Sequence, residues 1–171
     1  MSHFSIAGLQ LDLHAGDNLD ALANEIIKTK LRFPWVDMIV LSELGTYGSE
    51  KKYASELPNK TENFYCQLAK EQDVWLIPGS LYEQAGSEVF NTTTVINNKG
   101  EVVQRYRKIY PFYPYEDGVS CGQDFVVVGV PQGRIGVAIC YDLWFPEVAR
   151  QLTSMGAEVL IYPTLTGTID R

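Results

Sequence analysis

The sequence predicts an α/β fold class, a layered domain with some α+β character. Three observations point to it. Short, wholly apolar runs read as strands covered on both faces, amphipathic runs at helical spacing alternate with them, and past the middle of the chain consecutive strands joined by turn signals replace the alternation.

Taken in order, residues 4–11 (FSIAGLQL) read as a buried strand. Asp17 or Asn18 then caps a helix whose Leu19, Leu22, Ala23, Ile26 and Ile27 recur three and four apart. Residues 37–41 (DMIVL) are a short apolar strand that ends in the polar loop Ser42, Glu43, Leu44, Gly45. A second helix starts at a Thr61 cap, with Phe64, Leu68 and Ala69 on its inner face, and residues 74–80 (VWLIPGS) form the next strand. Residues 92–96 and 101–106 flank Asn97, Asn98, Lys99 and Gly100, a strong hairpin turn. Residues 109–123 are too rich in Tyr, Pro and Gly for a regular element and too aromatic for a linker, so they read as an ordered functional loop. Residues 125–130 and 134–139 pair across Pro131, Gln132 and Gly133. A helix then runs over residues 146–155, with proline in its first turn and Gly156 as its stop, and residues 159–162 make a last strand.

Composition excludes several function classes. The 171 residues are 46% hydrophobic and 20% charged, enough for one globular domain without a disulfide framework or a structural metal. A net charge of -7, with cations no denser than Arg105, Arg107 and Lys108, argues against a nucleic-acid or anionic-membrane partner. No apolar run approaches the roughly 20 residues of a membrane helix, and no secretory leader precedes the first strand, so a cytoplasmic location is expected. Cys66, Cys121 and Cys140 are odd in number and unevenly spaced, which favours free thiols over a disulfide or zinc scaffold. The Asn-x-Thr triplets at Asn59 and Asn91 carry meaning only in a secreted chain.

Chemistry is concentrated at three strand ends. Cys140 follows an apolar strand just before a helix, where helix amides would lower a thiol pKa and make it a nucleophile; a small buried hydrophobe is the other reading. His3 and His14, the only histidines, are not placed as its base. Glu43, at the end of another apolar strand, can serve as general base or merely as a loop ion pair. Lys108 can stabilise an oxyanion or lie solvated on the surface, and Glu116, among Tyr110, Phe112, Tyr113 and Tyr115, is its natural partner.

Three segments in this order, IVLSELGTYG around Glu43, EVVQRYRKIYPFYPYEDG from Glu101, and RIGVAICYDLWFPEVARQL around Cys140, resemble the nitrilase superfamily of carbon-nitrogen hydrolases. The resemblance implies an αββα four-layer sandwich and a Glu-Lys-Cys catalytic set. In that set Glu43 is the base, Cys140 attacks an amide carbonyl or a nitrile carbon, and Lys108, with the Tyr141 backbone N–H, holds the oxyanion. Glu116 orients Lys108 and the substrate, and neither metal nor organic cofactor is needed. Cys140-Tyr141-Asp142 followed by Phe145, Pro146 and Glu147 is similar to the amidase branches, which favours a small aliphatic amide over a nitrile. Tyr113, Tyr115, Tyr141, Trp144 and Phe145 are the candidates for a compact substrate pocket. The family also implies a homodimer or higher homo-oligomer. Its sandwich runs well beyond this length, so residues 1–171 are expected to form a single hydrolase domain truncated in its C-terminal third. Nitrile hydrolysis through a thioimidate and a non-catalytic relative that uses its cleft for binding are the competing expectations. A dinucleotide site is dismissed, because Gly129, Gly133 and Gly136 lack the required spacing.

Overall fold

The computed structural model describes residues 3–166. Its first half builds strands and helices in alternation: β1 (Ile6–Gly8), α1 (Leu19–Arg32), β2 (Met38–Val40), α2 (Lys60–Glu71) and β3 (Trp75–Ile77), with β1, β2 and β3 parallel neighbours. The hairpin β4 (Ser80–Ala85) and β5 (Glu88–Ile96) follows, and β6 (Val102–Arg107) also pairs with β5, antiparallel. These six strands form one sheet in the order β1-β2-β3-β5-β4 with β6 against β5. A second sheet, β7-β8-β9, consists of β7 (Val126–Val130), β8 (Gly133–Val137) and β9 (Val159–Ile161), with α3 (Pro146–Ser154) between β8 and β9.

Residue alternation along the central strands explains the layering. Met38 and Ile77 point one way and join Val95, Tyr106, Val126, Val128, Ile135 and Val137 in a core between the two sheets. Their neighbours Ile39 and Leu76 point the other way and pack on Leu22 and Ile26 of α1 and on Tyr65 and Leu68 of α2. Both faces of β2 and β3 are therefore covered, as their unbroken apolar runs demand. On the far face of the second sheet, α3 brings Leu152 against Gly136, where an added Cβ would collide with Leu160 and crowd Leu152. The order is helix, sheet, sheet, helix.

Several boundaries differ from the sequence reading. The first strand shrinks to three residues because β1 is an edge that pairs only with β2, itself three residues long. At α1 it is Asp17 Oδ1 that accepts the Leu19 N–H at 2.9 Å, while Asn18 turns its amide onto the carbonyls of His14, Gly16 and Gly45. The cap of α2 is Asn59, whose Oδ1 accepts the Glu62 N–H, and Thr61 sits inside the first turn. Phe64 is exposed, and the buried face runs through Thr61, Glu62, Tyr65, Leu68 and Ala69. The expected strand over residues 74–80 breaks at Pro78 and Gly79, and β4 begins on the other side. Gly79 has φ +75 and lies against the Ser42 carbonyl, so close that no side chain fits. The turn at Asn97 forms as expected, with the Asn97 side chain accepting the N–H groups of Lys99 and Glu101. No helix among the described residues is long and apolar enough to cross a membrane.

Candidate active site

β2 and β6 run in the same direction through the first sheet, so their carboxyl ends deliver Glu43 and Lys108 to one edge. The turn after β2 is tightly held: the Leu44 N–H donates to Ser80 Oγ, and Leu44 has φ +51. Gly122 plays the same part behind Lys108 that Gly79 plays behind Glu43. It donates its N–H to the Lys108 carbonyl and leaves no room for a Cβ against the Arg107 backbone.

Lys108, at 1% exposure, lies between two buried acids, with Nζ 2.7 Å from Glu43 Oε1 and 2.6 Å from Glu116 Oε2. Burial pulls its pKa down, but the Glu43 and Glu116 carboxylates outweigh that and hold it above the ordinary lysine value. Asn91 completes the cluster from β5. Its Nδ2 donates to Glu43 Oε1 at 2.9 Å and to Glu116 Oε1 at 2.7 Å, so one amide fixes both acids. Glu116 Oε2 also accepts the Phe112 N–H, and Glu43 Oε2 accepts the Leu165 N–H at 3.1 Å. Two buried carboxylates share one ammonium and several N–H donors, and removing the ammonium would cost about 3–5 kcal/mol.

Cys140 reaches this cluster from the second sheet. It opens a 3-10 turn, Cys140–Trp144, directly after the extended residues that follow β8, with φ +45 and its N–H on the Pro163 carbonyl. Its thiol is not activated at rest, contrary to the expectation from helix amides. Burial and the nearby Glu43 carboxylate push it up to about 12, against weaker opposing pulls from Lys108 and the Leu165 contact. Asp142 holds the turn in place. Its Oδ2 accepts the Ile139 N–H at 2.8 Å and the Tyr106 hydroxyl at 2.7 Å, and its Oδ1 accepts the Tyr110 N–H at 2.9 Å. One fully buried carboxylate thereby clasps the cysteine turn to the loop behind Lys108.

A cavity of about 580 Å³ opens over these groups, lined by Glu43, Lys108, Glu116, Cys140 and Tyr141, with Leu44, Phe112, Tyr115 and Tyr82 around them. Of the pocket residues expected from sequence, Tyr115 and Tyr141 line it. Three do not. Trp144 points to solvent at 78% exposure, Tyr113 donates its hydroxyl to the Val119 carbonyl, and Phe145 stacks on Tyr110 with ring centroids 3.8 Å apart. Sequence reasoning missed Asn91, Tyr82 and the clasp at Asp142. The one available signal for Asn91 was an amide in a strand that beyond Glu88 is otherwise threonine and apolar; it is fully buried in the site.

Two facing sheets flanked by helices, with an acid, an ammonium and a thiol gathered from three strand ends, define a nitrilase-like protein. The sequence profile of the family described as carbon-nitrogen hydrolase matches residues 16–170, and the chain belongs to that family. It is 33% identical to nitrilase homolog 2 of Dictyostelium discoideum over 94% of this chain and 53% of that protein. It is 34% identical to a formamidase of Bacillus cereus (strain Q1) over 84% of this chain and 47% of that one. The crystal structure of an amidase from Nesterenkonia sp. superposes with a TM-score of 0.89 at 22% identity, covering 99% of this chain and 67% of the other. The chain thus spans about half the length of the curated relatives it matches.

Proposed function

We infer that this chain carries the catalytic centre of an amidase that hydrolyses a small linear amide to a carboxylic acid and ammonia, through a thioester on Cys140. On this reading residues 1–171 belong to a single hydrolase domain. The observation that carries it is the buried Glu43–Lys108–Glu116 cluster facing the Cys140 thiol across one cavity.

The resting thiol keeps its proton, so its attack must be coupled to proton transfer. Glu43 takes that proton as sulfur bonds to the carbonyl carbon, and the oxygen becomes an oxyanion beside the Lys108 ammonium and the backbone of the Cys140 turn. Glu43 then returns the proton to the nitrogen, the C–N bond breaks, and ammonia leaves a thioester. Water enters, gives a proton to Glu43, and attacks the thioester carbon; the second collapse releases the acid and restores the thiol. Lys108 remains charged throughout because two carboxylates hold it so, and Glu116 and Asn91 keep its ammonium aimed.

The test is ammonia release from a series of short amides, together with intact mass during turnover. A covalent adduct equal to the acyl group is expected on the wild-type chain and not on Cys140→Ala. The same variant should lose at least about 10⁴-fold in rate, the usual scale for removing a nucleophile. Ammonia release that survives Cys140→Ala unchanged would overturn the reading.

A further inference from the structure

A buried acid beside the site takes no part in the bond changes. Asp142 is wholly inaccessible and lines no part of the cavity, yet its carboxylate accepts the Ile139 N–H, the Tyr106 hydroxyl and the Tyr110 N–H at 2.8, 2.7 and 2.9 Å. Two of those donors flank Lys108. Tyr106 stands two residues before it near the end of β6 and Tyr110 two residues after it, so the acid grips the chain on both sides of the ammonium. The acid itself lies two residues beyond Cys140, in the 3-10 turn.

The layering shows what this grip does. On β6, Arg105 and Arg107 reach Glu62 and Glu83, while Tyr106 points between the sheets and packs in the core with Val126, Ile135 and Val137. Apolar packing holds two sheets together without preferring a direction, so it does not fix how far the turn after β8 stands from the ammonium after β6. The Leu165 N–H ties the second sheet to Glu43; the tie to the Lys108 strand is Asp142. The groups that receive the oxyanion are divided in the same way. The ammonium belongs to the first sheet and the Tyr141 N–H, which no described residue accepts, to the turn after the second. Burial and the Asp142 charge push the Tyr106 phenol far above its ordinary value, so its proton stays on the oxygen that donates to the acid.

We propose that Tyr106 and Asp142 are positioning residues for the oxyanion: their hydrogen bond sets the distance between the Lys108 ammonium and the Tyr141 N–H, the two donors that close on the substrate oxygen. Neither touches substrate. A donor misplaced by about 1 Å costs up to about 10²-fold in rate, whereas the ground-state carbonyl, which carries less charge, is held almost as well.

This role rests on the amidase reading, and the test keeps the two apart. The probes are propionamide and propionaldehyde. The Cys140 sulfur adds to the aldehyde carbon, the carbonyl π bond breaks, and the thiol proton passes to the oxygen, which takes the oxyanion position in a thiohemiacetal. Tyr106→Phe is expected to lower kcat about ten-fold, less than the roughly 10²–10³ of a donor removed outright, with KM within about two-fold of wild type. Inhibition by propionaldehyde should weaken by the same factor. Thr94→Val removes a buried hydroxyl bond to Glu62 on the helix side of the sheet, and should lower the thermal midpoint comparably while leaving kcat unchanged. In Asp142→Asn, adding Tyr106→Phe should cost less than about two-fold, because the hydroxyl acts through the acid. The proposal is overturned by a wild-type kcat in Tyr106→Phe, by a loss that spares aldehyde inhibition, by an equal loss in Thr94→Val, or by additive losses with Asp142→Asn. Each of those results leaves the amidase reading standing. If no short amide is hydrolysed, the amidase reading falls by itself, and propionaldehyde binding followed by tryptophan fluorescence decides the positioning role. Binding about ten-fold weaker in Tyr106→Phe keeps it, and equal binding removes it.

Discussion

Cys140 sits in a backbone conformation that disfavours any side chain, and it stays there because its surroundings over-determine it. At φ +45 a non-glycine residue costs about 1–2 kcal/mol, offset here by the N–H bond to Pro163 and by the Asp142 clasp two residues on. The same packing keeps the thiol protonated, and this has a direct chemical readout. Alkylation of Cys140 by iodoacetamide, followed by peptide mass, is expected to rise about ten-fold per pH unit from pH 7 to about pH 10 without levelling, since only the thiolate reacts and burial beside Glu43 holds the thiol at about 12. A plateau near pH 8 would show a thiol that is already activated.

Glu43 and Cys140 were legible because reactive side chains stand directly at the ends of apolar strands, and Lys108 and Glu116 because a cation and an acid meet in and beside one aromatic loop. Asn91 was not, because an amide signals nothing until its partners are known, and they lie 48 and 25 residues away. Tyr113, Trp144 and Phe145 show the converse. An aromatic residue near a site tells which solvent it avoids, and its direction is set by the turn that carries it, here the 3-10 turn that swings Trp144 outward.

At the scale of elements, the surprise is the buried face of α2. Glu62 stands on it, nearly inaccessible, because Arg105 of β6 reaches over with Nε 2.8 Å from Oε1 and Nη2 2.6 Å from Oε2, and Thr94 of β5 donates to Oε1 as well. Hydrophobic periodicity assigns such a position to solvent, so the expected stripe takes in Phe64 where the structure buries Tyr65, while Leu68 and Ala69 are buried as expected. The pair is asymmetric, with Glu62 side-chain exposure of 2% and Arg105 of 36%. Arg105→Ala strands a carboxylate in the interior, whereas Glu62→Ala frees a guanidinium that water can reach. Chemical denaturation should therefore show a loss of about 2–3 kcal/mol for Arg105→Ala and about 1 kcal/mol for Glu62→Ala. Equal losses would mean that the acid is better hydrated than its burial implies. The split of one expected strand into β3 and β4 has a comparably local cause: Gly79 must pass the Ser42 carbonyl, a contact 37 residues distant that no window of sequence contains.

For the whole molecule, the layering was readable from unbroken apolar runs, which require cover on both sides, and from the switch to hairpins. Sheet order was not, because the pairing of β3 with β5 rests on a single residue pair, Leu76 with Ile96. The buried ionisable groups give the molecule a common alkaline weakness. Cys140 at about 12 and, also raised, Tyr65, Tyr82, Tyr106 and Lys108 keep their protons in the folded chain at pH values where the unfolded chain releases them. Between about pH 9 and pH 12 the folded state therefore binds more protons, and stability falls as pH rises. Urea unfolding at about pH 10.5 should give a free energy on the order of 2 kcal/mol below that at pH 8, after discounting the partly exposed Cys140 for solvent screening. A flat profile over that interval would contradict the burial of these groups.

The position of the thiol late in the chain also bears on biosynthesis. Glu43, Asn91, Lys108 and Glu116 all leave the ribosome before Cys140, and at about 5–20 residues per second the thiol follows its acid by several seconds. Everything needed to pair the acids with the ammonium is made in that interval, while the strand that carries the thiol has still to be translated. Both acids and the ammonium therefore precede the reactive sulfur, and the Leu165 N–H that closes on Glu43 follows it.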